Sequence, residues 1–252
     1  MKSYTMKYRL VRVVRTGVRT WLTGGVLALL ALGICVGLPN WPVAAQGLPP
    51  EVYPPDAEPF GKTYAEWSAL WWKWVVAIPH GVNPLSDPDG TQCAIGQQGP
   101  VWFLAGTGGG PATRSCTIPA GKAILFPIIN FLNDYPCPDA DFEPAPGQTL
   151  EAFLQEGAKP FVDQADVLRV TVDGNRIRQV RQYRAVSKLF SFTAAADNAV
   201  SDPCLTGSPQ LGTSDGYWIM LQPLPSGPHM LSFKGTTTGG FSTEVTYTLS
   251  IE

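Results

Sequence analysis

The sequence predicts an α+β domain that is mainly β: a disulfide-stapled β-sandwich, immunoglobulin-like or jelly-roll-like, with one Trp-rich helix and one further helix. Three observations predict it. The last third of the chain is a succession of short strands divided by Pro- and Gly-containing turns, the pattern of a sandwich. Two upstream segments repeat apolar residues at helical spacing. Four cysteines, an even number, remain once an N-terminal leader is set aside.

Residues 1–45 read as that leader, a signal peptide. Lys2, Lys7, Arg9, Arg12, Arg15 and Arg19 precede an uncharged stretch from Trp21 to Asn40, and no acid occurs there. Val43-Ala44-Ala45 supplies the small residues of a cleavage site before Gln46. The apolar core, Gly24 to Leu38, is short of the roughly 20 residues of a spanning helix, which favours cleavage over a retained anchor. Cys35 follows Ile34, where lipid attachment needs a small residue, and there is no twin-Arg pair. The expectation is export by the general secretory route to a secreted or periplasmic location, with no membrane span after cleavage. Residues 46–252 hold 12 of the 18 basic residues against all 20 acids, a net of −8. That balance argues against nucleic acid as a partner, because phosphate binding needs a basic face.

Cys93, Cys116, Cys137 and Cys204 then form two disulfides in an oxidising compartment. The preferred pairing is Cys93 with Cys116 and Cys137 with Cys204, because the first pair brackets a predicted hairpin. Their spacing is too wide for a thiolate zinc site.

Residues 46–60 are Pro-rich and should run extended, ahead of a single domain over 61–252, with a division into 61–145 and 147–252 as the alternative. Thr63 and Glu66 make a capping box, and Tyr64, Trp67, Leu70, Trp71, Trp74, Val75 and Ile78 share a helical face until Pro79. Val101 to Ala105 and Thr113 to Ile118 read as a hairpin around the glycines at 106–110. Lys122 to Ile129 is a strand whose Pro127 suits an edge or a bulge. An acidic loop, Asp134 to Pro146, leads to a second helix from Leu150 to Val162, kinked or broken by Pro160. Val167 to Val172 and Asn175 to Val180 flank the turn Asp173-Gly174. Leu189 to Thr193, Tyr217 to Gln222, His229 to Phe233 and Phe241 to Ile251 complete the strands.

Chemical motifs are few. Gly212-Thr213-Ser214-Asp215-Gly216 spells a nucleophile elbow, yet a strand rather than a helix follows it. The glycines at 106–110 lack the Lys-Ser or Lys-Thr of a phosphate loop. Asn83, Asp87 and Asp89 are weak candidates for an irregular cation site, against a solvated turn. His80 and His229 are too isolated for a His-rich metal centre. Carboxylate pairs for polymer hydrolysis could come from Glu66, Asp87, Asp89, Asp134, Asp139 or Asp141. Trp67, Trp71 and Trp74 read as core, whereas Trp72 points elsewhere and is the candidate for exposed stacking on a sugar. Across the Asp173-Gly174 turn, Thr171 faces Arg176 and Arg169 faces Arg178, so Arg169, Arg176 and Arg178 share one side of the ribbon and Val170 and Ile177 the other. Like charges so placed want an anion, unless acids such as Asp163 or Asp166 neutralise them. Nothing in the chain implies a cofactor.

The order of motifs resembles a family of exported bacterial proteins of unassigned function: Glu66-Trp67 with Trp71-Trp72-Lys73-Trp74, Cys93 to Gln97, Val101 to Gly106, Pro119 to Lys122, and Asp215 to Trp218. The resemblance implies export and no activity. The leading expectation is an extracytoplasmic binding protein for a glycan, such as an extracellular polysaccharide. The alternatives are a secreted polysaccharide-active enzyme using carboxylates, or a structural envelope protein.

Overall fold

Two strands are buried almost without a break, and they dictate the layering. β3 (Ala123–Tyr135) and β8 (Pro209–Leu221) pair antiparallel and are buried along nearly their whole length. Side chains of a strand alternate between faces, so continuous burial requires cover on both. On one face lies α1 (Tyr64–Val76), whose Trp71 meets Trp218 of β8 with centroids 5.4 Å apart; α2 (Leu150–Asp163) packs on the opposite face, where Asn133 of β3 donates to the Leu154 carbonyl and Phe131 meets Phe161. Beside α2 on that face lies a second sheet, whose Phe233 ring stacks on Phe126 with centroids 4.9 Å apart. The computed structural model describes residues 51–200 and 202–252. The expected leader, its cleavage site at Gln46 and Cys35 lie outside the described residues.

The first sheet runs β1-β3-β8-β6, with β1 (Val101–Phe103) parallel to β3. Three short pieces share the far edge of β8: β7 (Phe190–Thr193), β6 (Arg184–Val186) and the bridge from Val52 to Leu221. The second sheet runs β2 (Gly110–Ile118), β10 (Ser242–Ile251), β9 (Gly227–Thr237), β4 (Ala165–Val172), β5 (Asn175–Arg176). There β2 is parallel to β10 and the other pairs are antiparallel. Burial alternates along β9 and β10, so this sheet has one face in water. The result is a disulfide-stapled α+β sandwich of three layers: α1, the first sheet, and a layer made of the second sheet with α2 beside it.

One expectation is corrected and two are narrowed. Val101 to Ala105 and Thr113 to Ile118 are not a hairpin, because β1 and β2 belong to different sheets. The glycines at 106–110 carry the crossing between them, and a Cβ on Gly106 would touch Thr243 and the Phe233 ring. Of the two places that suit Pro127 it takes the bulge rather than the edge: it lies in a central strand, where the register of β3 against β8 shifts between Pro127 and Ile129, and this bulge absorbs the missing N–H. Helix α2 runs unbroken through Pro160, whose ring is on the exposed side.

Both disulfides form in the preferred pairing. Cys93–Cys116 closes no hairpin; it fastens the loop before β1 onto β2, where the Ser115 N–H also donates to the Asp89 carbonyl at 2.8 Å. With separations of 23 and 67 residues, each closure is worth about 3–4 kcal/mol in the chain-entropy account. Two formed disulfides indicate an oxidising environment. Among the described residues no helix is long and apolar enough to cross a membrane.

Helix α1 starts as its sequence dictates, with Thr63 and Glu66 bonded reciprocally in a capping box. Its indole N–H groups then anchor loops to the core: Trp67 donates to the Pro59 carbonyl, Trp71 to Leu104 and Trp74 to Ile95, all at 2.8–2.9 Å. Trp72, expected to be exposed for stacking, is buried instead. The segment after β7 returns over the helix, with the Ala195 N–H donating to the Val76 carbonyl. The Trp72 ring sits edge-on to Trp71 at 5.2 Å.

Candidate functional site

Most of the polar residues singled out by sequence serve the fold. Asn83 donates to the Val75 and Ile78 carbonyls and so caps the C-terminal end of α1. The Asp87 carboxylate is buried and accepts from the N–H groups of Asp89, Gly90 and Gln92. Asp89 accepts from the Thr91 N–H, which holds its carboxyl below the ordinary range. The three expected cation ligands are therefore committed to backbone groups. Glu66 is likewise taken by the capping box.

Ser214 lies inside β8 rather than on a strand-to-helix turn, with its hydroxyl buried. His229 is on β9, where its Nδ1 lies 2.7 Å from Asp173 and its Nε2 faces the Pro225 carbonyl. A nucleophile elbow does not form.

Asp134 is a buried carboxylate at the end of β3. Gln210 donates to its Oδ2 at 2.7 Å, whereas Oδ1 has no protein partner among the described residues. Burial first, and the nearby Asp202 second, push its pKa up to about 7.

The arginines behave differently. Asp173 (φ 50°) and Gly174 (φ 77°) make the two-residue turn that Asp-Gly favours, and Thr171 pairs with Arg176 as expected. The ladder then ends after two pairs. Gln179 takes a left-handed conformation (φ 55°, ψ 33°) and the chain enters a short 3-10 turn, Val180–Tyr183. Arg169 consequently faces Lys234 on β9 and forms no ladder pair with Arg178. The sidedness nevertheless holds: Val170, Val172 and Ile177 are buried, while Arg169, Arg176 and Arg178 are exposed.

This early departure leaves a concavity. Two adjoining grooves, of ≈ 540 and ≈ 470 Å³, share Leu168, Arg176, Gln179 and Val180 as lining. Arg178 lines the first, and Arg169 and Arg181 the second. Its lip is a bulge in β4, where the register against β9 shifts between Ala165 and Leu168. Arg181 is held in place by donating to the Ala165 and Asp166 carbonyls at 3.1 and 2.7 Å.

Among the described residues, Arg169, Arg176 and Arg178 form no ion pair, and two of the flanking acids are engaged elsewhere. Asp163 is bound by Lys159 and Arg184, and Asp173 by His229. Asp166 lines the second groove without pairing to any of them. The groove thus combines an apolar floor of Leu168, Ile177 and Val180 with unpaired guanidinium groups. Guanidinium offers a fork of donors matched to carboxylate, sulfate or phosphate. Sequence reasoning located three of these arginines from the turn alone. It missed Arg181, Gln179 and the bulge, since a left-handed glutamine and a register shift carry no sequence signal. The chain matches no family model, no curated protein and no solved structure.

Proposed function

We propose that this is an extracytoplasmic binding protein, exported by the general secretory route after loss of residues 1–45, that holds an acidic polysaccharide in the arginine groove. One observation carries the reading: three exposed arginines line adjoining grooves of a net-acidic domain, and none of them is ion-paired among the described residues. Like charges gathered on a sheet edge repel, and a multivalent anion relieves that repulsion. The apolar floor suits the C–H face of a sugar ring, while uronate or sulfate groups meet the guanidinium forks.

Retention on an immobilised uronate or sulfated polysaccharide should fall steeply with added salt, because the Debye length is about 10 Å at 0.1 M and shortens further with salt. The double variant Arg176→Gln with Arg178→Gln should lose retention at unchanged melting temperature, since neither side chain is buried or ion-paired. Undiminished, salt-insensitive retention in that variant would exclude the groove as the site.

A further inference from the structure

The outer face of the second sheet continues the groove in one direction. Cα partners place Arg176 on β5 beside Thr171 on β4, Thr171 beside Ser232 on β9, Ser232 beside Thr246 on β10, and Thr246 beside Thr113 on β2. One residue from each of the five strands therefore forms a single row, with an arginine at one end and hydroxyls in the other four places. The row faces solvent, because its strand neighbours Val170, Val172, Leu231, Phe233, Val245 and Tyr247 are buried on the opposite face. The Ser232 and Thr246 hydroxyls already lie 3.1 Å apart. Four interstrand steps give the row a length of about 19 Å.

Its surroundings are compatible with an anionic chain. Beside it on β9, Met230 is 56 % exposed and offers an apolar contact, with Thr248 and Ser115 continuing that next row across β10 and β2. On the other side the acid Glu244 is paired to Lys234 at 2.8 Å.

We propose that an acidic polysaccharide anchored at the arginine groove continues across this face, perpendicular to the strands, and that Thr171, Ser232, Thr246 and Thr113 hydrogen-bond its sugar hydroxyls as an extension site. The inference rests on the groove reading and deepens it: the protein recognises a chain rather than a single acidic sugar. Arginine supplies the anchoring charge, and the hydroxyl row supplies the length dependence.

Calorimetry with size-defined oligouronates, repeated with size-defined sulfated oligosaccharides, tests it on the disulfide-intact protein. Affinity should rise from disaccharide to octasaccharide, and Thr246→Val with Thr113→Val should remove about tenfold of that gain while leaving disaccharide binding unchanged. Valine suits a strand as well as threonine does, so folding is preserved. Length-independent affinity, or a length gain untouched by the double variant, overturns the extension site while the groove reading stands. Failure of every oligosaccharide of both series to bind overturns the groove reading along with it.

Discussion

The two sheets treat charge in opposite ways. In the first, β3 and β8 lie between two covers, and the acids there are buried: Arg184 meets the buried Asp215 at 2.6 Å, while Asp134 keeps one oxygen without a protein partner among the described residues. In the second, the inner face is apolar and the outer face leaves three arginines without a counter-charge among the described residues. Arg114, on β2 but turned inward, marks the boundary. It is buried, and its guanidinium donates to the carbonyls of Leu85, Asp87, Ala105 and Gly106 and to the Tyr247 hydroxyl. An arginine used for structure is saturated; the groove arginines are not, and this contrast separates scaffold from site.

The largest test of the contrast lies in the helix layer. Trp71→Ala and Trp72→Ala should each destabilise by about 3–5 kcal/mol, since both rings are buried between α1 and its covers. Denaturant unfolding measures it, and a small loss at Trp72 alone would reopen that ring as a surface feature.

A smaller effect is expected at Asp134. Its folded pKa of about 7 lies above the ordinary carboxylate value of about 3.9. Between those values the folded state keeps a proton that the unfolded chain has released, so stability falls as pH rises through the window and stays lowered above it. Asp134→Asn keeps an acceptor for Gln210 and removes the charge. It should raise stability at pH 8 by on the order of 2 kcal/mol and flatten the pH profile between about 4 and 7. A variant less stable than the parent at pH 8 would show that the carboxylate is favourably housed.

The smallest effect belongs to the outer face of the second sheet. Thr248→Val, exposed on β10, should change stability by no more than about 0.5 kcal/mol in thermal unfolding. A loss above that figure would mean the face is packed against something, which sharpens the search for what covers it.

Much of the fold was legible locally. The capping box at Thr63 and Glu66, the Asp173-Gly174 turn and the alternation of β9 and β10 are short-range patterns, each set by a few adjacent residues. The apolar parts of β3 and β8, Ala123 to Ile129 and Tyr217 to Leu221, were legible as strands; their polar continuations were not, nor was their place as the middle layer of three. The disulfide pairing was preferred for a hairpin that does not exist: proximity of Cys93 to Cys116 comes from the loop lying along β2.

Sequence by itself determined the class of elements, the side of the ribbon on which Arg169, Arg176 and Arg178 stand, and the common face of Trp67, Trp71 and Trp74. Each follows from a backbone period of 2.0 or 3.6 residues, a property of the local chain. Only the tertiary structure decided that Trp72 is buried, that Asp87 and Asp89 serve backbone amides, and that Asp163 and Asp173 are engaged away from the arginines. Those outcomes depend on which distant segments arrive as neighbours, and burial and pairing are properties of neighbours rather than of sequence position.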